Sequence, residues 1–301
     1  MLEVIVDIGF IGIGQMGKHM SKRIIDAGYN LTVLDLNKEA ATHLLEAGAK
    51  WGTTPRAMAE SCQIVITSLP TPQDVEQVVY GPEGLKSGWK DGDIYIDMST
   101  NSPSTIRRIA EDARAIGVAV LDAPVSGGTK GAEMGTLTIM VGGDPAALER
   151  ARKVLETMGQ KIFSVGDIGC GNIAKLINNM IALTCSSISA EGFVLGVKAG
   201  IDPKVLWDII TISTGNNWAL QQYASGVLQG DFTPYYRLSL GLKDIGLAME
   251  MGKEYGLPLP VAAAVEQKLI EAMTAGHGDK HVDAVILRLE ELAGAKPRIK
   301  G

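Results

Sequence analysis

In GFIGIGQMGKHM (9–20) a β-prone apolar run breaks into Gly12-Ile13-Gly14-Gln15-Met16-Gly17 and gives way to helical periodicity. A GxGxxG between a strand and a helix predicts the opening of a βαβ unit. The first glycine permits the tight turn, the second lets backbone approach a pyrophosphate, and the third lets the helix pack on the strand. Backbone N–H groups and the positive helix N-terminus then favour an anion. The next strand, LTVLDLN, ends in Asp35, 18 residues beyond Gly17, where an acid suits a ribose 2′-hydroxyl. A carboxylate there repels a 2′-phosphate and no arginine adjoins it, so NAD is expected over NADP, with Lys38 the one opposing charge.

The rest of the first half repeats this rhythm. Strands are expected over 5–11, 31–35, 63–69, 93–97, 118–122, 136–142 and 161–165, with helices near 15–27, 38–47, 103–115 and 145–158. Such alternation predicts an α/β domain, a Rossmann-type doubly wound and mainly parallel sheet covered on both faces. After about residue 166 helical periodicity takes over, with breaks at Gly200, Thr214-Gly215, Gly230-Asp231 and Gly256-Leu257-Pro258. The expected organisation is a dinucleotide-binding domain over 1–165 and an all-helical substrate and oligomerisation domain over 166–301, joined by a long interdomain helix. The tail AKPRIKG is expected to be frayed.

Composition excludes some classes. A net charge of −6 with no dense Lys/Arg cluster argues against a nucleic-acid surface. Three scattered cysteines give neither a disulfide framework nor a zinc site and fit a reducing, cytoplasmic setting; no metal is expected. MLEVIVDIGFIG lacks a basic leader region and reads as a strand. The uncharged stretch 176–190 falls short of the roughly 18 apolar residues a span needs and is diluted by Asn178, Asn179 and hydroxyl side chains, so a buried soluble helix is expected. Of the four histidines, those in GHGDKH (276–281) read as a polar helix start.

Two further stretches carry chemistry. LDAPVSGG (121–128) ends in Ser126-Gly127-Gly128, a turn that can aim a hydroxyl and successive N–H groups at a carboxylate. A plain β-turn explains the glycines as well; a dinucleotide enzyme's need for a substrate anchor favours the first reading. In GCGNIAKLINNMIALTCSSISAEGF (169–193), Lys175 stands at the mouth of an apolar helix with Asn179 one turn on. A lysine in a low-dielectric cleft has its pKa pulled towards working pH, suiting it to general acid/base duty, and Asn179 could hold the ammonium or bond the substrate. A lysine snorkelling from a helix end explains the residue equally.

GFIGIGQMGKHM, the LP of SLPTP, DMST, DAPVSGG, GxGxxxKLxNN and GLKDIGLA, in this order, resemble the β-hydroxyacid dehydrogenases over nearly the whole chain. The resemblance implies that Lys175 is the catalytic lysine assisted by Asn179, and that Ser126, Gly127 and Gly128 anchor the substrate. It implies that Leu69, Pro70 and Thr100 line the cofactor and that Lys243 reaches its nicotinamide side. It also implies hydride transfer between NAD and a small 3-hydroxy acid or its semialdehyde, and a homodimer or homotetramer. 6-Phosphogluconate dehydrogenase carries histidine and glutamate where this chain has Asn178 and Ala182, so decarboxylation is disfavoured. Imine reductases share the fold but generally replace the lysine. A silent dinucleotide-binding sensor or scaffold module would be marked by loss of the Lys175–Asn179 pair, which is present.

Overall fold

The computed structural model describes residues 6–299; the reading of the first five residues as the start of a strand lies outside them. The chain divides into two compact units, Met1–Lys175 and Leu176–Gly301.

The first unit runs β1 (Asp7–Ile11), α1 (Gly17–Asp26), β2 (Asn30–Leu34), α2 (Thr42–Glu46), β3 (Lys50–Trp51), α3 (Pro55–Ser61), β4 (Ile64–Thr67) and α4 (Pro72–Tyr80). It continues with β5 (Ile94–Asp97), α5 (Pro103–Arg114), β6 (Ala119–Asp122), β7 (Val125–Ser126), α6 (Gly128–Met134), β8 (Leu137–Gly143), α7 (Pro145–Met158) and β9 (Gly159–Gly166). The sheet order is β3-β2-β1-β4-β5-β6-β8-β7, with β9 paired to β8. Strands β2, β1, β4, β5 and β6 are mutually parallel, as expected, and β3, a two-residue strand absent from the sequence expectation, joins β2 in parallel. Antiparallel pairing enters where β8 meets β6 and β7.

Both sheet faces are covered, and the period-two alternation of side chains shows how. Ile8, Phe10, Ile66 and Ile96 join Met20 and Ile24 of α1 and Leu148 and Leu155 of α7 in one core. Ile11, Val65, Tyr95 and Val120 face the other way, against Met58 of α3, Val75 of α4 and Ile106 of α5. Helices α3 and α4, absent from the sequence expectation, are both started by threonine and proline. Thr54 and Thr71 each accept an N–H of the first turn, and Thr71 forms a full capping box with Asp74. Their short apolar faces were masked by the strand signals on either side.

α8 (Cys170–Lys198) begins in the first unit and continues into the second. The division between units falls inside this helix, after Lys175. At 29 residues α8 has the length expected of the long interdomain helix, and it is long and apolar enough to cross a membrane by length and composition alone. It is not the wholly buried helix expected: one side packs in the core of the second unit, and Ile177, Ile181, Ile188 and Leu195 are exposed. Leu183, Ala190, Phe193 and Val194 are buried with Leu220, Tyr223, Leu238, Ile245 and Leu269.

The second unit is helical, as expected: α9 (Pro203–Thr211), α10 (Trp218–Gln222), α11 (Leu238–Glu254), α12 (Pro260–Thr274) and α13 (Ile286–Ala293) follow. The four expected breaks fall between these helices. His281 caps a short 3-10 turn by accepting the Asp283 N–H at 3.3 Å, so GHGDKH is a polar helix start. The tail is a correction. Arg298 donates two hydrogen bonds to Glu290, at 2.7 and 2.9 Å, and Ile299 N–H bonds Leu228 O at 2.9 Å. Glu290 is buried, and an unpaired carboxylate there would be costly, so the chain is held through Ile299.

Candidate active site

In a parallel sheet the loops leaving the carboxyl ends of the strands share one edge. The order β2-β1-β4 also makes a topological switch point between β1 and β4, where ligands of such sheets bind. Apart from Lys175 on α8, the site residues of the first unit singled out from sequence leave that edge. Gly12–Gly17 follow β1 and Asp35 follows β2. Leu69 and Pro70 follow β4, Thr100 follows β5, and Ser126–Gly128 follow β6.

The three glycines of the first loop have distinct surroundings. Gly12 has φ +98°, and a Cβ there would lie 2.4 Å from Ser68 O, so the turn is closed to other residues. A Cβ on Gly17 would lie 1.8 Å from Gly12 O, which is the close helix–strand packing anticipated. Around Gly14 a Cβ would meet nothing within 4 Å. Gly14 and Gln15 are exposed, Met16 precedes the helix, and no side chain caps the N-terminus of α1. A dinucleotide's pyrophosphate fits this open, donor-rich turn. Asp35 braces it, since its Oδ2 accepts the Ile13 N–H at 2.6 Å and its Oδ1 the Asn37 N–H at 2.9 Å. Lys38 lies 5.7 Å from the Trp51 ring centroid. On the other flank, Leu69 N–H bonds Ser99 Oγ at 2.9 Å, tying the loops after β4 and β5 together.

Ser126 is the last residue of the two-residue strand β7, opposite Thr138 of β8. Gly127 and Gly128 have φ of 135° and 64° and start α6. The loop is therefore a strand-to-helix turn that requires glycine twice, not a simple β-turn.

Sequence reasoning missed the buried polar residues beneath these loops. Asp97 ends β5 and accepts from Thr67 Oγ1 at 2.9 Å, Ser99 N at 3.0 Å and Asn101 Nδ2 at 2.8 Å. Asp122 ends β6 and accepts from Gly169 N at 2.8 Å, Asn172 N at 2.6 Å and Asn172 Nδ2 at 3.2 Å. Burial pushes the Asp122 carboxyl up to about 6 against these bonds, and burial raises Asp97 too. The legible signal was an acid closing each apolar run, IYID and AVLD.

Lys175, the sixth residue of α8, is half-buried rather than enclosed. In the second unit Asn179 is buried, and its amide is committed: Nδ2 donates to Asp244 Oδ2 at 2.6 Å and more weakly to Tyr236 Oη at 3.4 Å, while Oδ1 accepts from Asn178 at 3.1 Å. Tyr236 donates to the same Asp244 oxygen at 2.6 Å, and Lys243 Nζ lies 3.0 Å from its Oδ1. Asp244, also missed, thus joins Asn179, Tyr236 and Lys243; burial, reinforced by that carboxylate, holds the Tyr236 phenol well above its usual range. Among the described residues no cluster of three metal-ligating side chains occurs.

A switch-point sheet with an open GxGxxG turn is the site of a dinucleotide-binding domain, and the comparisons with known proteins make the dinucleotide a nicotinamide one. Residues 7–166 match the NAD-binding domain of 6-phosphogluconate dehydrogenase, and 169–289 match the NAD-binding domain of NADP-dependent 3-hydroxyisobutyrate dehydrogenase. The chain is 39% identical to 2-(hydroxymethyl)glutarate dehydrogenase of Eubacterium barkeri, covering 97% of this chain and 98% of that one. It is 40% identical to an NAD-dependent L-serine dehydrogenase of Pseudomonas aeruginosa, covering 85% and 88%. The Mycobacterium tuberculosis 3-hydroxyisobutyrate dehydrogenase structure with L-serine superposes with a TM-score of 0.86 at 34% identity, covering 95% and 99%. The chain belongs to the β-hydroxyacid dehydrogenase family.

Proposed function

We propose that this chain oxidises small 3-hydroxy acids with NAD, or reduces the corresponding semialdehyde acids, with Lys175 as general acid/base. The observation that carries the reading is the convergence on one sheet edge of the open glycine turn, the Ser126-Gly127-Gly128 loop and the strand ends that hold the start of α8. The cofactor, when bound, supplies the hydride acceptor. The chain's own task in oxidation is to take the hydroxyl proton onto a neutral Lys175 Nζ while the carbinol hydrogen leaves as hydride; in reduction the ammonium returns that proton to the developing alkoxide. Ser126 and the glycine N–H groups grip the carboxylate, holding the carbinol carbon in place. The relatives' named substrates 2-(hydroxymethyl)glutarate and L-serine share a hydroxymethyl group on the carbon bearing a carboxylate, which supports this substrate class.

The test is NADH formation at alkaline pH over a panel of small 3-hydroxy acids, their methyl esters and simple alcohols. Acids should react and the others be nearly inert; esters reacting as well as acids would reduce the loop to a turn. Ser126→Ala should lower kcat/KM by roughly 10- to 150-fold, the loss of one hydrogen bond to a charged group worth about 1.5–3 kcal/mol.

NAD is proposed over NADP because Asp35 closes β2 where the ribose would lie, while Lys38 leans on Trp51. Asp35→Ala should narrow the NAD/NADP ratio of kcat/KM, and it should also slow both reactions, because the Ile13 N–H loses its partner. A native preference for NADP would overturn the assignment.

A homodimer or homotetramer is also proposed. Ile177, Ile181, Ile188 and Leu195 of α8 and Val205 and Ile209 of α9 are exposed apolar side chains, more than scattered surface residues need. A monomeric mass by light scattering would dispose of it.

A further inference from the structure

We infer that Asp122 and Asn172 are positioning residues for Lys175, fixing the start of α8 so that the lysine's backbone is set one turn later; this rests on the reading of Lys175 as the acid/base. The chain of contacts begins in the sheet. Asp97 and Asp122 are register partners at the ends of neighbouring parallel strands, both fully buried. Asn101 Nδ2 donates to Asp97 at 2.8 Å, the Asn101 backbone N–H donates to Asn172 Oδ1 at 2.7 Å, and Asn172 donates to Asp122 through both its N–H and its amide. Asn172 is itself fully buried and sits three residues before Lys175. The Gly169 N–H, just ahead of the helix, bonds the other Asp122 oxygen.

Two properties point to positioning rather than to stability alone. Two adjacent carboxylates buried among neutral donors are an expensive way to close a core that apolar residues could close. What the arrangement adds is direction: three N–H bonds converge on one carboxylate and allow the first turn one orientation. The packing agrees. A Cβ on Gly171 would lie 2.4 Å from Met140 O and 2.5 Å from Asp122 O, and one on Gly142 would lie 2.8 Å from Gly171 N. The helix therefore starts in backbone contact with β6 and β8 and has no room to slide or rotate. General acid/base transfer is sensitive to such placement, because a displacement of about 1 Å can cost about 10²-fold in rate.

The test is a double-mutant cycle of Asn172→Ala with Lys175→Ala, read as kcat and as KM for NAD, with thermal melting beside it. Asn172→Ala should lower kcat about 10- to 100-fold with KM for NAD little changed, and it should lower kcat no further in the Lys175→Ala background. An equal fold-loss in both backgrounds, or unchanged kcat in the single variant, would overturn the inference, since a brace acting on the whole domain costs the same with or without the lysine. If Asn172→Ala is insoluble, the same cycle is run with Asp122→Asn, which keeps the shape but presents an amide donor to the Asn172 N–H. A crippled Lys175→Ala beside an unaffected Asn172→Ala removes the inference alone, whereas near-normal turnover in Lys175→Ala removes the underlying reading as well.

Discussion

Replacing Lys175 by alanine should lower kcat by about 10²–10⁴-fold while leaving NAD affinity nearly unchanged, the range that positioned acid/base groups supply. The expectation separates two roles that a lysine beside a dinucleotide can have. A lysine that only binds the cofactor would show its loss in KM for NAD; one that moves the substrate proton shows it in turnover at saturating substrate and cofactor. Lys175→Arg should not restore the rate. Guanidinium stays protonated at any pH the protein tolerates, so it cannot accept the hydroxyl proton, however well it preserves charge. Lys243 does not offer itself as a substitute base, because its ammonium is paired with the buried Asp244 carboxylate. Turnover of Lys175→Ala within a few-fold of the parent would sink the mechanism.

How much of this was legible in the sequence depended on whether the signal was local. Apart from the two-residue β3, the parallel strands of the first unit were readable because each is a short apolar run closed by a turn residue or an acid. The GxGxxG was readable because its three glycines have backbone roles, and these are fixed by position in the motif. Helices α3 and α4 were not read, although Thr54-Pro55 and Thr71-Pro72 mark their starts; with only a few buried positions each, they lack the length over which helical periodicity emerges. The reversal at β8 was hidden for a different reason. Strand direction is decided by how the chain returns after β7 and α6, and both elements are too short to leave a pattern.

The polar groundwork was least legible. Asp97, Asp122 and Asp244 each lie inside a motif that drew notice for other residues, and an acid next to an apolar run reads as a strand or helix boundary. Only the fold shows that all three are buried and that each organises several donors. Asn179 illustrates the same limit. Its spacing from Lys175 was clear, but the commitment of its amide to Asp244 of α11 and to Tyr236 just ahead of that helix depends on residues more than fifty positions further on.

The two alanine variants of the phosphate turn should behave in opposite ways. Gly14→Ala should fold and melt like the parent, since a Cβ there meets nothing within 4 Å and the backbone does not require glycine. Its defect should appear in NAD binding, because the new methyl occupies the space through which backbone N–H groups reach the pyrophosphate. Losing one charge-assisted hydrogen bond corresponds to about 1.5–3 kcal/mol, or roughly 10- to 150-fold in Kd. Gly17→Ala should lose stability first. Its Cβ would stand 1.8 Å from Gly12 O and 3.2 Å from the Phe10 ring, and Gly12 has no freedom to withdraw, being held at φ +98° against Ser68. Helix α1 would have to lift from β1, an overpacking cost of at least about 1–3 kcal/mol. For a domain of this size that lowers Tm by several degrees, at about 2–4 °C per kcal/mol. The melts must be recorded without NAD, because a bound ligand adds stability of its own and would blur the contrast. A Gly14→Ala variant that keeps full NAD affinity would mean that the pyrophosphate does not approach this turn, and the dinucleotide would have to enter the sheet edge elsewhere.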